Sequence, residues 1–110
     1  MMYNRIMDME FEWDDEKEAR NYRKHHLHFE DAKYVFADGN RLERPDRSAG
    51  NDGTEERWQT IGKIGEVVFV AFTERKEKIR LISARLATAK ERRFYYGNSD
   101  FTAEGWERTF

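Results

Sequence analysis

The 110 residues are 38% charged and 38% hydrophobic with a formal net charge of −2, a near-neutral balance that excludes a globally basic nucleic-acid binder and leaves any anion site local. One proline and 15% aromatics describe a folded, heavily solvated single domain, since chains of about 100–200 residues carry one core. Zero cysteines exclude disulfides and thiol chemistry; the lack of an apolar run of about 18 residues, or of a signal-peptide h-region in Met1–Met7, leads us to expect a soluble cytoplasmic protein without a membrane partner.

In chain order, Phe11 and Trp13 alternate with Glu10, Glu12 and Asp14, the two-residue period of a short strand, expected at a sheet edge. Asp14 or Asp15 then caps a helix running to about His25, with acids in its first turn and Arg20, Arg23 and Lys24 toward its end, as the helix dipole prefers. A second, shorter helix fits Phe29 to Ala37, where Phe29, Ala32, Lys33 and Phe36 recur at helical spacing, and Asp38-Gly39-Asn40 stops it. The polar, turn-rich stretch that follows, to Thr54, is expected mainly as a mobile loop with at most a brief strand around Leu42.

Three strands follow, Glu56 to Ile64, Glu66 to Glu74 and Lys78 to Ala84, turning at Gly65 and at Arg75-Lys76-Glu77. Connections this short demand antiparallel hairpins. Val67-Val68-Phe69-Val70-Ala71-Phe72 is apolar on both faces and belongs at the sheet centre. Thr88-Ala89-Lys90-Glu91 is a capping box that opens a helix to about Tyr96, closed by Gly97. The expected fold class is α+β: a small antiparallel sheet of three main strands plus short edge strands, packed by two N-terminal helices and one C-terminal helix. Residues 9–97 form the domain, 1–8 an extension, and 98–110 a tail whose Phe101, Trp106 and Phe110 can dock.

Phe11-Glu12-Trp13-Asp14 with Lys17, Asn21 and Lys24-His25, then Phe29-Glu30-Asp31-Ala32 and Val35-Phe36-Ala37-Asp38, resembles the BrnT family of type II toxins. So do Glu56-Arg57 before Thr60-Ile61-Gly62, and Ile79-Arg80-Leu81-Ile82-Ser83-Ala84-Arg85 with Ala87 and Glu91-Arg92-Arg93. The resemblance covers residues 9 to 97. It implies a RelE/ParE-like ribonuclease fold, RNA as substrate, and neutralisation by a ribbon-helix-helix antitoxin of the BrnA type, with DNA met only through that antitoxin. Where such proteins often carry Gly and then Val-Ser before the second helix, this chain has His26, Leu27 and His28, losing the usual serine cap.

Metal-independent RNA cleavage needs a base for the ribose 2′-hydroxyl, cations for the phosphorane and an acid for the leaving 5′-oxygen. Arg57, Arg80 and Arg85 suit the second task, because a guanidinium grips phosphate oxygens bidentately and keeps its charge. Strand alternation places Arg80 and Arg85 on opposite faces unless a bend or a strand end intervenes. His25, beside Lys24, is either the general base or acid, or a helix-dipole partner. Glu56 next to Arg57 is a further base candidate, and Tyr95 a proton donor. Lys90, Arg92, Arg93 and Tyr96 are candidate RNA contacts, or, for the cations, an acceptor for an acidic antitoxin segment or a solvated face. Phe94 is expected in the core, with one of the two tyrosines beside it. His25, His26 and His28 without a carboxylate at helical spacing make a poor tetrahedral set, so neither metal nor cofactor is expected. The alternative to an enzyme is a non-catalytic binding module that holds a DNA-binding partner as corepressor.

Overall fold

A computed structural model describes residues 5–6, 9–47 and 56–109. These residues build one seven-stranded sheet in the order β1-β2-β6-β5-β4-β3-β7. Its strands are β1 (Arg5–Ile6), β2 (Met9–Glu12), β3 (Leu42–Pro45), β4 (Arg57–Ile64), β5 (Glu66–Arg75), β6 (Lys78–Leu86) and β7 (Glu107–Arg108). The central three are antiparallel hairpin partners, and β5 is the middle strand of those three.

The sheet is mixed rather than antiparallel, because β2 runs parallel to β6, with Phe11 opposite Ile79 and Glu12 opposite Arg80. Hairpin logic does not reach this pair, which the whole length of α1, α2 and β3 to β5 separates; a long connection allows either direction. Nor is β2 the outermost strand, since β1 pairs outside it. Beyond Arg80 the free edge of β6 meets helix α1 (Asp15–His25) instead of a strand.

Helix α1 begins where expected. The Asp14 carboxylate accepts the N–H groups of Glu16 and Lys17 at 2.8 and 3.0 Å. It ends at His26, which holds the left-handed conformation with φ +57° that usually calls for glycine. The second helix is α only over Phe29–Ala32 (α2) and tightens to a 3₁₀ turn over Lys33–Ala37. His28 makes no side-chain cap for it; Glu18 reaches across from α1 to accept from Phe29 N at 3.4 Å and to meet His28 Nδ1 at 2.7 Å. Lys33 is fully buried, with its ammonium 2.8 Å from Glu30.

Two cores sandwich the sheet. Phe29, Val35 and Phe36 pack with Phe11, Val68, Val70, Phe72, Leu81 and Ala84 on one face. Here Gly62 has a specific reason: a Cβ on it would stand 2.1 Å from Val35 Cγ2. On the other face Ile61, Phe69 and Ala71 pack with Leu42, Trp106, and Phe94 and Tyr95 of α3 (Ala89–Tyr95). The capping box of α3 is complete, and Gly97 follows with φ +76°.

Two segments carry more structure than their composition suggests. The stretch after Asp38 forms β3, held between β4 and β7; the rest of the expected loop, 48–55, lies outside the described residues. Beyond Gly97 the chain makes a 3₁₀ turn, Phe101–Glu104, and then β7. Trp106, only 1% exposed, closes the second core, while Phe110 lies outside the described residues.

Candidate active site

One cross-strand row organises the face that carries the second core. Arg57 on β4 stands opposite Thr73 on β5, Thr73 opposite Arg80 on β6, and Arg80 opposite Glu12 on β2. Thr73 follows Val67, Phe69 and Ala71 at two-residue steps, so the row shares their face. Thr73 itself is buried, its hydroxyl donating to the Glu56 carbonyl at 2.6 Å, which ties the entry of β4 to β5. The Glu56 carboxylate is on an exposed residue next to Arg57.

Arg80 Nη1 lies 3.4 Å from Glu12 Oε2, with the two side chains 28% and 32% exposed. A half-solvated pair of this kind contributes only about 0–1 kcal/mol, so Glu12 holds Arg80 weakly. The Asp14 carboxyl, held below its ordinary range first by the Lys17 N–H and then by the Glu16 N–H, also feels the charges of Lys17 and Arg80.

Alternation would separate Arg80 from Arg85, but the pairing of β5 and β6 slips between Ala71 and Phe72. Phe72 faces Leu81 while Ala71 faces Ser83, which leaves Ile82 as an extra residue in β6. Arg85 consequently stands opposite Phe69, whose ring its guanidinium covers at 4.0 Å. Both arginines occupy one face because of this bulge.

Glu91 orients Arg85. Its two oxygens receive Nη1 and Nη2 at 2.8 and 3.0 Å, while Oε1 also takes the Thr88 N–H at 2.9 Å. Burial alone would raise the Glu91 carboxyl, but the Arg85 and Thr88 hydrogen bonds outweigh it and hold it below its ordinary value. One carboxylate thus starts α3 and aims an arginine.

His25 closes α1 and is half-buried. Partial burial, then the charges of Lys24 and Arg85, push its imidazole below the ordinary value of 6.5, so it is neutral at pH 7 and able to accept a proton. The end of α1 lies against β6, where Asn21 bonds Ala84 and His25 shares a cavity with Ile82 and Ser83. Lys24 is exposed and shares with His25 a shallow cavity against β6.

The remaining candidates lie on or just after α3. Tyr95 is turned into the second core, and its hydroxyl donates to Asp38 Oδ2 at 2.6 Å. Burial, then that carboxylate, raise the phenol far above its usual range, so it keeps its proton at neutral pH and spends it on the Asp38 hydrogen bond. Tyr96 is exposed, with Lys63 5.6 Å from its ring centre. Lys90 pairs with Glu104, Arg92 donates to the Ala87 carbonyl at 2.9 Å, and Arg93 is exposed on α3. Among the described residues no three of His, Asp and Glu gather as a metal-binding group. His28 stacks on Tyr22 at 3.9 Å instead.

Glu12 and the second task of Glu91 escape sequence reasoning. Glu91 is visible there only as the far end of a capping box, and Glu12 only as the polar position of an alternating strand; the register that brings each to an arginine leaves no local signal.

Fold and surface together define a small α+β protein with a single mixed sheet and a cationic cleft where β6 meets α1. The family model described as ribonuclease toxin, BrnT, of type II toxin-antitoxin system matches residues 13–91, and the chain belongs to that family. The matched stretch spans His25, Arg57, Arg80 and Arg85 and ends at Glu91. The crystal structure of the Brucella abortus ribonuclease toxin BrnT shares the fold, with a TM-score of 0.53 and 22% identity over 73% of this chain and 97% of that one. No curated protein matches the chain by sequence. No helix among the described residues is long and apolar enough to cross a membrane.

Proposed function

We propose that the protein is a metal-independent endoribonuclease toxin of RelE-like type, neutralised in the cell by a ribbon-helix-helix antitoxin of the BrnA type. The observation that carries the reading is the bulge at Ile82, which puts Arg80 and Arg85 on one face with Arg57 in the same row. In this reading the scissile phosphate lies across the arginines. Neutral His25 takes the proton of the 2′-hydroxyl as it attacks phosphorus, the arginines stabilise the phosphorane, and the bond to the 5′-oxygen breaks to leave a 2′,3′-cyclic phosphate. Lys24 supplies the proton for that 5′-oxygen, and Glu56 is the second candidate base. Tyr95 has no part in proton transfer, since its phenol is committed to Asp38.

The test is cleavage of RNA by the purified protein in EDTA. Arg80→Ala and Arg85→Ala should each lower the rate about 10²–10³-fold, the usual effect of losing one preorganised electrostatic contact, with circular dichroism unchanged. Wild-type rates in both folded variants would sink the arginine assignment. A purely corepressing module would leave RNA intact from the start.

A further inference from the structure

Helix α1 presents Lys17, Arg20 and Lys24 at spacings of three and four residues, hence on one face. That face does not look only into solvent. Together with His25, Ile82 and Ser83 the three cations line a cavity of about 310 Å³ between the helix and the bulged part of β6. Among the described residues none of the three forms an ion pair. Glu18, an acid of the same helix, is engaged elsewhere, with His28 and Phe29.

The helix dipole favours Arg20 and Lys24 toward the end of α1, but it does not call for three cations on one face. Arg20 and Lys24 are a like-charge pair at i, i+4, which disfavours a helix, and three cations along one concave wall repel each other further. The strand side is equally particular. The extra residue in β6 brings Ile82 and Ser83 to the same cavity, and the Ser83 hydroxyl, partly exposed, makes no hydrogen bond among the described residues. Bulges commonly re-aim side chains beside active sites.

We infer that this cavity is a second backbone subsite for single-stranded RNA. Lys17 and Arg20 hold the phosphate next to the scissile one, Lys24 stands between that phosphate and the leaving 5′-oxygen, and the Ser83 hydroxyl donates to an oxygen of the same nucleotide. The volume is at the small end of ligand pockets, which run about 300–1,000 Å³, and suits one nucleotide rather than a duplex. RNA is favoured over an acidic peptide because the cavity is lined by the candidate base His25 and by Ile82 and Ser83, two β6 residues that lie between Arg80 and Arg85, so a strand crossing the arginines passes its wall. The inference rests on the ribonuclease reading above.

The experiment measures binding apart from cleavage. A 2′-O-methyl oligoribonucleotide, which lacks the attacking hydroxyl, is titrated by fluorescence anisotropy over a series of salt concentrations with the full chain and with Lys17→Ala, Arg20→Ala and Ser83→Ala. Each lysine or arginine variant should bind several-fold more weakly and lower the slope of log affinity against log salt by about 0.7, the value for one phosphate contact on a single strand. KM for cleavable RNA should rise with kcat near that of the wild type. Wild-type affinity and slope in both cation variants, with the unmodified protein still cleaving RNA, would overturn the subsite and leave the ribonuclease reading standing. Unchanged RNA affinity with weakened antitoxin binding would overturn it too, by assigning the face to the protein partner. An unmodified protein that cleaves no RNA would remove the ribonuclease reading and the subsite with it.

Discussion

Asn21 takes the place of a neighbouring strand for Ala84. Its Nδ2 donates to the Ala84 carbonyl at 2.9 Å and its Oδ1 accepts the Ala84 N–H at 3.1 Å. Past the end of β2 the edge of β6 would otherwise bury an unpaired donor and acceptor, and one carboxamide satisfies both. The same Nδ2 reaches the Leu27 carbonyl at 3.1 Å, so the helix, the corner after it and the strand are pinned at one residue.

Asn21→Ala should therefore destabilise the fold by about 1–3 kcal/mol, the cost of leaving buried backbone groups without partners. Urea unfolding measures it. Asn21→Asp keeps the acceptor for Ala84 N–H but sets a carboxylate against two carbonyls, and should be at least as harmful at pH 7. Because the contact also seats the end of α1, with His25, against β6, both variants should lose cleavage activity at temperatures where they remain folded.

The pH dependence follows from His25. Its folded-state value lies below the ordinary 6.5, so between the two values the unfolded chain binds the proton and the native one does not. Stability drawn from this residue is constant above pH 6.5 and declines as pH falls below it toward the folded value. Activity that uses the neutral imidazole should keep its acidic limb below pH 6.5. Removing the neighbouring charge in Lys24→Gln should move the titration of His25 upward; an NMR titration that leaves it where it was would show that Lys24 has no influence.

Gly62 is predicted to resist substitution. A Cβ 2.1 Å from Val35 Cγ2 cannot be accommodated unless the buried Val35 side chain turns to another rotamer or the 3₁₀ turn shifts, and Gly62→Ala should cost about 1–3 kcal/mol as overpacking. The double variant Gly62→Ala/Val35→Ala should show a non-additive recovery in calorimetry, which general loss of strand propensity would not produce.

At His26 the opposite change should help. A histidine at φ +57° carries about 1–2 kcal/mol of left-handed strain, partly offset by its edge contact with Tyr22 at 5.8 Å. His26→Gly should raise the melting temperature by a few degrees without altering RNA cleavage. A lower melting temperature would mean that the Tyr22 contact outweighs the backbone strain.

Local chemistry is legible wherever its cause is local. Asp14 and Thr88 as helix starts, Gly65 and Gly97 as turns, and the all-apolar run from Val67 to Phe72 as a central strand follow from capping, backbone freedom and two-sided burial. The second helix is legible as a stripe but not as a change of winding after Ala32. The strand at Leu42–Pro45 is legible only as a brief strand around Leu42, because charged Glu43 and Arg44 follow that buried leucine and its partners are distant in sequence. The docking of Trp106 stays open for the same reason.

The amino-acid sequence by itself determined the α+β class, the hairpins, the caps and the pool of chemical groups: arginines late in the chain, a histidine at a helix end, no thiols. Tertiary structure decided which of them meet. Strand alternation sends Arg80 and Arg85 apart, and a single extra residue at Ile82 brings them back to one face, because side chains change face with every step of register. Likewise Tyr95 meets Asp38, and Glu12 and Glu91 meet Arg80 and Arg85. Periodicity is a property of neighbours along the chain, whereas a site is set by register between strands and by the seating of a helix on a sheet edge, which Asn21 and Ala84 supply here.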